Sequence, residues 1–165
     1  MNKLFVVDSS ALLSGKPFGD AKELVIPEGI RKEFREGGRD YRQLEFLILA
    51  GMQVMKPSLE ALSEIEKSSL KTGDVSRLSN ADKEVLALTL DLKRKKNLSV
   101  TILSDDYSIQ NLAEELNLPY QAVSQRGIKE KFEWIYRCTG CRRRFDKKYN
   151  ECPYCGSRLR QVRKR

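Results

Sequence analysis

The chain opens its first structural element with KLFVVDSSALL, residues 3–13. Lys3–Val7 is an apolar run typical of a buried strand; it ends at Asp8, and a helical pattern starts at Ser9. A second stretch of this kind is VTILSDDYSIQ, residues 100–110, in which a strand is followed by Ser104, Asp105 and Asp106 and then by a helix. Strands that alternate with helices form a mostly parallel sheet covered by helices, so the two stretches predict an α/β fold.

The segments between these two stretches continue the alternation. Further short strands are predicted at residues 23–26, 53–56 and 119–123, and helices from residue 28, at 41–50, 59–69, 79–96 and 107–116. A loop is expected at residues 71–78, around Gly73. In a sheet of this kind the functional cleft lies beyond the carboxyl ends of the strands.

Charge divides the chain into two parts. Residues 1–128 hold 18 basic and 19 acidic side chains, a net charge of −1, whereas residues 129–165 hold 13 and 4, a net charge of +9. All four cysteines also lie in the second part. We therefore expect a domain at residues 1–123, a linker at 124–131 and a small basic module at 132–165, whose charge favours an anionic partner such as RNA.

The chain contains no histidine. This excludes Ser-His-Asp and Cys-His catalysis and any metal held by histidine. No signal peptide or bilayer-spanning apolar run is evident, so we expect a cytoplasmic protein with no membrane partner.

Acidic side chains at four places in the chain are positioned to meet at the predicted cleft. Asp8 follows the first strand, Asp105 and Asp106 follow the fourth, Glu33 lies on the helix after the second strand, and Asp82 lies in the first turn of a helix. Clustered carboxylates repel one another unless a cation is present, and oxygen ligands favour Mg²⁺ or Mn²⁺. Taken singly, Asp82 also fits a charge at a helix N-terminus, and Glu33 fits a solvated helix face.

These acids lie in motifs that resemble those of the PIN-domain nucleases. The motifs are VVDSSALL (6–13), IRKEF (30–34), LSNADKEVLALTL (78–90) and ILSDDYSIQN (102–111). Together with the cysteine segment, KTGDVSRLSNADKEVLALTL (71–90) and LSDDYSIQNL (103–112) resemble the Nob-type endonucleases, which trim the 3′ end of precursor small-subunit ribosomal RNA.

The resemblance implies a three-layer domain with a mostly parallel five-stranded sheet and a divalent-metal-dependent endoribonuclease. It implies that Asp8, Glu33, Asp82 and Asp106 hold Mn²⁺ or Mg²⁺ and carry catalysis. The family pattern, a hydroxyl residue, any residue and then the acid, assigns the ligand role to Asp106, with Asp105, Ser10 and Ser104 as supporting residues. Helix capping is an equally good interpretation of the two serines. The implied substrate is precursor small-subunit (16S) rRNA within the pre-ribosomal small subunit.

The four cysteines form two C-x-x-C pairs, Cys138/Cys141 and Cys152/Cys155, with ten residues between the pairs. This spacing is typical of a structural zinc site, since four thiolates complete a tetrahedral ion. Disulfides and a rubredoxin-like iron site are the alternatives. A metal would also explain how so short a module folds.

Basic and aromatic side chains surround the cysteines, a combination that favours RNA contact through phosphates and stacked bases. The predicted contacts are Arg137, Arg142, Arg143, Arg144, Lys147, Lys148, Tyr149, Arg158 and Arg160. For residues 163–165 a solvated tail is the better interpretation. Two other functions remain open: a non-catalytic RNA-binding assembly factor, and a PIN-type toxin ribonuclease.

Overall fold

A computed structural model of the chain describes residues 2–14, 18–73, 76–123 and 134–163. The chain divides into two compact units, residues 1–126 and 127–165. The predicted linker, residues 124–131, lies outside the described residues.

The first unit is built on a five-stranded sheet in which every pair of neighbouring strands is parallel. The strands are β1 (Asn2–Val7), β2 (Leu24–Pro27), β3 (Gln53–Met55), β4 (Leu98–Leu103) and β5 (Tyr120–Gln121), in the order β3-β2-β1-β4-β5. The α/β class and the five parallel strands predicted from sequence are confirmed.

The order of the strands determines where a cleft can form. The chain moves outward from β1 through β2 to β3, then returns to the other side of β1 for β4 and β5. Because such crossovers are right-handed, the reversal of direction places helices on both faces of the sheet. The reversal point lies between β1 and β4, and ligands of open α/β sheets bind beyond the carboxyl ends of the strands there.

In the described residues, six α-helices connect the strands. They are α1 (Ser9–Leu13), α2 (Glu28–Glu33), α3 (Arg39–Leu49), α4 (Leu59–Thr72), α5 (Asn80–Lys93) and α6 (Tyr107–Glu115). The fifth, α5, is the central helix: Val85, Leu86, Leu88 and Leu92 are buried, and the helix contacts β1, β2 and β4. Its apolar side chains and those of the inner strands form one continuous core.

Several predicted boundaries differ from the structure, and two helix ends differ by three residues. The fourth helix continues to Thr72 and ends at Gly73, which adopts the left-handed conformation (φ 77°), so the loop predicted from residue 71 starts later. The fifth helix ends at Lys93, short of the predicted residue 96, because Asn97 takes a positive φ and leads into β4.

The second unit contains a three-stranded antiparallel sheet. Its strands are β6 (Trp134–Cys138), β7 (Arg144–Phe145) and β8 (Leu159–Arg163), in the order β7-β6-β8. Buried side chains in the described part of this unit are few: Ile135, Cys138 and Cys152. Such a small core needs further stabilisation, which a metal at the cysteines would supply.

Across the described parts of both units, no helix combines the length and the apolar character needed to cross a lipid bilayer.

Candidate active site and cysteine cluster

The carboxyl ends of β1 and β4 bring the acidic motifs together. These strands pair in register from Asn2↔Leu98 to Val7↔Leu103, and the pairing continues as the Asp8 N–H donates to the Leu103 carbonyl at 3.0 Å. The side chains that follow both strands, Asp8 and Ser104, therefore lie beside each other. The Ser104 hydroxyl donates to Asp8 Oδ2 at 2.8 Å.

Asp8 is a buried carboxylate held by hydroxyl and amide donors. Its side chain is only 2% exposed. Oδ1 accepts the Ser9 N–H at 2.7 Å, which caps α1, and Oδ2 accepts the Ser10 hydroxyl at 2.7 Å in addition to that of Ser104. A buried carboxylate needs hydrogen-bond donors, and these three donors hold the Asp8 side chain in a fixed orientation.

The two serines connect Asp8 to the acids after β4. The Ser10 Oγ accepts the Asp105 N–H and the Ser104 Oγ accepts the Asp106 N–H, each at 3.1 Å. The capping interpretation of these serines is wrong, because Asp8 caps α1 and Asp106 caps α6, while both serines contact Asp8.

Asp105 and Asp106 have different surroundings. The Asp105 carboxylate accepts the Val123 N–H at 2.8 Å, so it ties the segment after β5 to the end of β4. The Asp106 carboxylate caps α6 through the Ser108 N–H and lies close enough to Asp82 to repel it. Asp106 therefore lies with the acidic group, whereas Asp105 holds the segment after β5 against the end of β4.

Glu33 and Asp82 complete this acidic group. Burial raises the pKa of Glu33, and repulsion by Asp8 and Asp82 adds to the effect, while a hydrogen bond from Ser9 opposes it. Burial likewise raises the pKa of Asp82, against the hydrogen bonds from Ser79; repulsion by Asp8 and Asp106 raises it further. Asp82 also forms a capping box with Ser79, so its helix-capping role and its place in the acidic group coexist.

The donor set fits a hard divalent cation. The four carboxylates and the two serines that contact Asp8 all offer oxygen, and the repulsion that adds to the effect of burial on the pKa values of Glu33 and Asp82 is what a cation would relieve. The carboxylates keep some distance, however. In the described residues, the cysteines alone bring three or more potential ligand atoms within 4.8 Å of one another.

A pocket of about 330 Å³ opens beside the acidic group. It lies between α1 and the turn that joins α2 to α3, and both Ser9 and Glu33 line it. Its other polar residues, among them Arg35, Arg39 and Tyr41, are not among those predicted from sequence. The available signal was the stretch RKEFREGGRDYR (31–42), in which cations and aromatic residues flank Glu33.

The four cysteines form one cluster in the second unit. Their Sγ atoms lie within 4.8 Å of one another, with Cys138 3.3 Å from Cys155 and Cys141 3.6 Å from Cys152. These separations are far longer than a disulfide bond of about 2.05 Å, and all four residues are free cysteines. The disulfide alternative is therefore excluded.

Backbone amides point at the sulfurs, as expected for two metal-binding turns. The Gly140 N–H donates to Cys138 at 3.3 Å, and the Arg143 N–H donates to Cys141. Hydrogen bonds from the Ser157 hydroxyl and N–H lower the pKa of the Cys155 thiol to about 5. At Cys141 the hydrogen bond from the Arg143 N–H is outweighed by burial and the three neighbouring thiols, which raise the pKa to about 11. Donors to sulfur stabilise thiolate, which is the form that binds metal.

The surface around the cysteines is basic and aromatic. Arg143 stacks on the Tyr154 ring at 3.8 Å from its centroid, and Tyr154 in turn stacks on Phe145. The predicted RNA contacts are solvent-facing except Arg137, which is half-buried: Arg142, Arg143, Arg144, Lys147, Lys148, Tyr149, Arg158 and Arg160 are exposed. Within the described residues of this unit, none of the basic side chains forms an ion pair with a carboxylate.

Comparison with known proteins places the chain in a family. Residues 5–92 match the family described as PIN domain of ribonuclease. The chain is 38% identical to Endoribonuclease Nob1 of Pyrococcus abyssi over 97% of its own length and 94% of that protein. It is 35% identical to Endoribonuclease Nob1 of Methanothermobacter thermautotrophicus, with 97% and 92% covered. It is also 34% identical to Ribonuclease VapC1 of Thermoplasma acidophilum, with 98% and 79% covered.

The fold, the acidic group at the strand ends and these matches agree, and the chain belongs to the PIN-domain family of ribonucleases as an endoribonuclease.

Proposed function

We propose that this protein is a divalent-metal-dependent endoribonuclease of ribosome biogenesis, which cleaves precursor small-subunit (16S) rRNA near its 3′ end in the cytoplasm. The observation that carries the proposal is the buried Asp8 carboxylate, oriented by Ser10 and Ser104 and faced by Glu33, Asp82 and Asp106. The near end-to-end similarity to Nob1 proteins supports the choice of substrate.

In this proposal Asp8, Glu33, Asp82 and Asp106 hold Mn²⁺ or Mg²⁺. When bound, the ion would lower the pKa of a water molecule attached to it and neutralise the negative charge that builds up on the phosphodiester during hydrolysis. The protein's own part is to hold four acids around one cleft: Ser10 and Ser104 fix Asp8, and the capping interactions fix Asp82 and Asp106. No side-chain nucleophile is needed, which agrees with a chain that lacks histidine.

The basic module has a separate role: its cysteines hold one structural Zn²⁺, and its exposed cations bind the RNA backbone. Four thiolates with amide donors suit zinc and leave no open coordination position. The pre-ribosomal small subunit is the proposed setting of that contact.

Cleavage of a precursor small-subunit RNA fragment tests the proposal. With Mn²⁺ the full chain should cut the fragment at one place near the 3′ end of the mature sequence, leaving a 5′-phosphate and a 3′-hydroxyl. EDTA should abolish the reaction. A scrambled RNA of the same length and composition is the control, and equal cleavage of both RNAs would contradict the proposed substrate.

The pH dependence of Mn²⁺ binding follows from the raised pKa values. Because the folded protein protonates Glu33 and Asp82 at higher pH than free carboxyls with pKa 4.5 and 3.8, protons compete with the ion over a wider range. Affinity for Mn²⁺ should therefore fall on acidification, starting at a higher pH than for unperturbed carboxyls, with protons released on binding. Calorimetry on the zinc-loaded chain measures both quantities.

Asp82→Asn is the informative variant in that experiment. It should weaken Mn²⁺ binding at every pH and release fewer protons, since one competing carboxyl is gone. A wild-type affinity that starts to fall only at the ordinary carboxyl pKa values of 4.5 and 3.8 would contradict the competition.

Arg142 offers a clean test of RNA binding by the basic module. This exposed residue directly follows the first C-x-x-C pair and has a positive φ of 62°, as Gly156 does after the second pair with 72°. Arg142→Gly removes a positive charge. It also relieves backbone strain worth about 1 kcal/mol, so the variant module should be at least as stable as the wild type. RNA affinity should nevertheless fall, and the salt dependence of log K should drop by about 0.7 to 0.9.

Lys67→Gln is the matched control for this variant. Lys67 is exposed on α4 in the first unit and loses the same charge. Titration of a precursor RNA fragment at several salt concentrations gives both slopes. If Lys67→Gln and Arg142→Gly change the slope equally, the effect is one of net charge and not of the proposed surface.

A PIN-type toxin ribonuclease is the second candidate function. The 34% identity to Ribonuclease VapC1 favours it, and the 98% coverage means that this match extends into the cysteine module. The appended module therefore does not separate the two functions. Expression does: a toxin should arrest growth when it is produced alone, in proportion to its nuclease activity, whereas a processing enzyme specific for precursor rRNA should not.

A further inference from the structure

We infer that the pocket between α1 and the α2–α3 turn is the subsite for a nucleotide adjoining the bond to be cut, with Arg35 and Arg39 holding its phosphate. This inference rests on the proposed endoribonuclease function and adds to it a position for the substrate. No residue of the acidic group itself is assigned a new role.

The pocket is continuous with the acidic group. Ser9 and Glu33 both line the pocket. Glu33 is a member of the acidic group, and Ser9 donates hydrogen bonds to Asp8 and to Glu33. If the phosphodiester to be cut lies at these acids, the adjacent nucleotide of the RNA strand must lie close to them. The pocket is the adjoining cavity on the α1 side, and its volume of about 330 Å³ is within the range of small-molecule sites, roughly 300 to 1,000 Å³.

The walls of the pocket suit both a base and a phosphate. Phe34 and Tyr41 are half-buried aromatic residues in the lining, and a base can stack on such rings. Arg35 and Arg39 are exposed, line the same pocket and have no ion-pair partner among the described residues. Unpaired guanidinium groups are well suited to phosphate oxygens.

Two arginines offset the negative charge beside the pocket. The acidic group repels phosphate, and the first part of the chain, residues 1–128, has a net charge of −1. In the lining of the pocket itself, Arg35 and Arg39 balance the charges of Glu33 and Asp40. Of these two acids, Glu33 faces the proposed metal site. The two arginines would hold the RNA backbone next to a cleft that otherwise rejects it.

The turn between α2 and α3 places both arginines at the pocket. Gly37 has φ +79°, and a Cβ at this position would meet no other atom within 4 Å; Gly38 follows it before α3 begins at Arg39. The positive φ reverses the chain, which brings Arg35 and Arg39 to the same pocket from opposite sides of the turn.

Charge-removal variants test the subsite by kinetics. Arg35→Gln and Arg39→Gln should each raise KM for the precursor RNA fragment by roughly tenfold to a hundredfold while kcat changes little, since each removes a charge-assisted contact to phosphate. Arg42→Gln is the matched control, because Arg42 is exposed on α3 and does not line the pocket. Equal KM values for Arg39→Gln and Arg42→Gln would overturn the assignment.

Photo-crosslinking tests the same subsite without cleavage. A precursor fragment that carries 4-thiouridine is irradiated with the full-length Asp8→Asn chain, and the crosslinked peptides are identified by mass spectrometry. The expected crosslinks lie at residues 34–41, and Arg35→Gln/Arg39→Gln should reduce them. Crosslinks confined to other segments would overturn the subsite even if the wild-type chain cleaves the RNA. A wild-type chain that never cleaves, while crosslinks form at 34–41, would instead contradict the proposed function.

Discussion

Asp8→Asn should abolish cleavage, with a rate loss of roughly a thousandfold or more, while the fold and RNA binding persist. The substitution removes the negative charge of the most buried acid in the site and leaves its shape. Asparagine caps a helix about as well as aspartate, so α1 keeps its N-terminal donor bond. Ser10 and Ser104 can accept hydrogen bonds from the new amide, because a hydroxyl both donates and accepts. Rate, Mn²⁺ affinity and thermal midpoint are the measurements.

Asp20→Asn is the matched control for this prediction. Asp20 is also an N-cap aspartate: its Oδ1 accepts the Lys22 N–H at 3.0 Å, at the start of the short helical turn Ala21–Glu23. It is exposed and lies outside the acidic motifs. This variant should cleave at the wild-type rate. Cleavage by Asp8→Asn at a similar rate would eliminate the acidic group as the catalytic site.

Cys152→Ser should unfold the second unit and leave the first intact. Cys152 is 3% exposed, and its sulfur lies 3.6 Å from that of Cys141 in the four-cysteine cluster. Metal binding at such clusters contributes on the order of 10 kcal/mol, far more than the few buried apolar side chains of this unit supply. Bound zinc should fall from one per chain to none, and amide protection of β6 and β8 should disappear.

Thr139→Ser controls for a change within a metal-binding turn. Thr139 lies between the first two cysteines, and its hydroxyl donates to the Arg158 carbonyl at 2.9 Å, a bond that serine preserves. Metal content and protection should match those of the wild type. If Cys152→Ser retains zinc and amide protection in β6, the cluster is not what stabilises this unit.

The local features could be predicted from the sequence because each depends on residues that are close together in the chain. The apolar run before Asp8 predicted β1, and the Ser79–Asp82 pair predicted the capping box that starts α5. The cysteine spacing predicted a cluster because each C-x-x-C pair forms one turn, with its own amides directed at the sulfurs. The helix ends at Thr72 and Lys93 were misplaced by a few residues, since charged side chains tolerate both helix and loop.

The candidate acids could also be identified in the sequence, but their arrangement in space could not be predicted from it. A strand that ends in aspartate indicates a residue at the edge of a sheet without indicating which other strand lies beside it. The Ser104–Asp8 hydrogen bond joins residues 96 positions apart and exists because β4 pairs with β1 in one register. The choice between Asp105 and Asp106 likewise depended on Val123, which the chain delivers only after β5.

By itself, then, the sequence predicted the α/β class, a division into two parts, acids at the ends of strands and a cluster of four cysteines, because these follow from periodicity, charge and spacing along the chain. Only the tertiary structure decided that Ser10 and Ser104 clamp Asp8, that Asp105 braces β5 while Asp106 joins the acidic group, and that a pocket with two arginines opens beside Glu33. These features arise where separate elements meet, and that meeting is set by strand order and by the turn at Gly37 rather than by any local pattern.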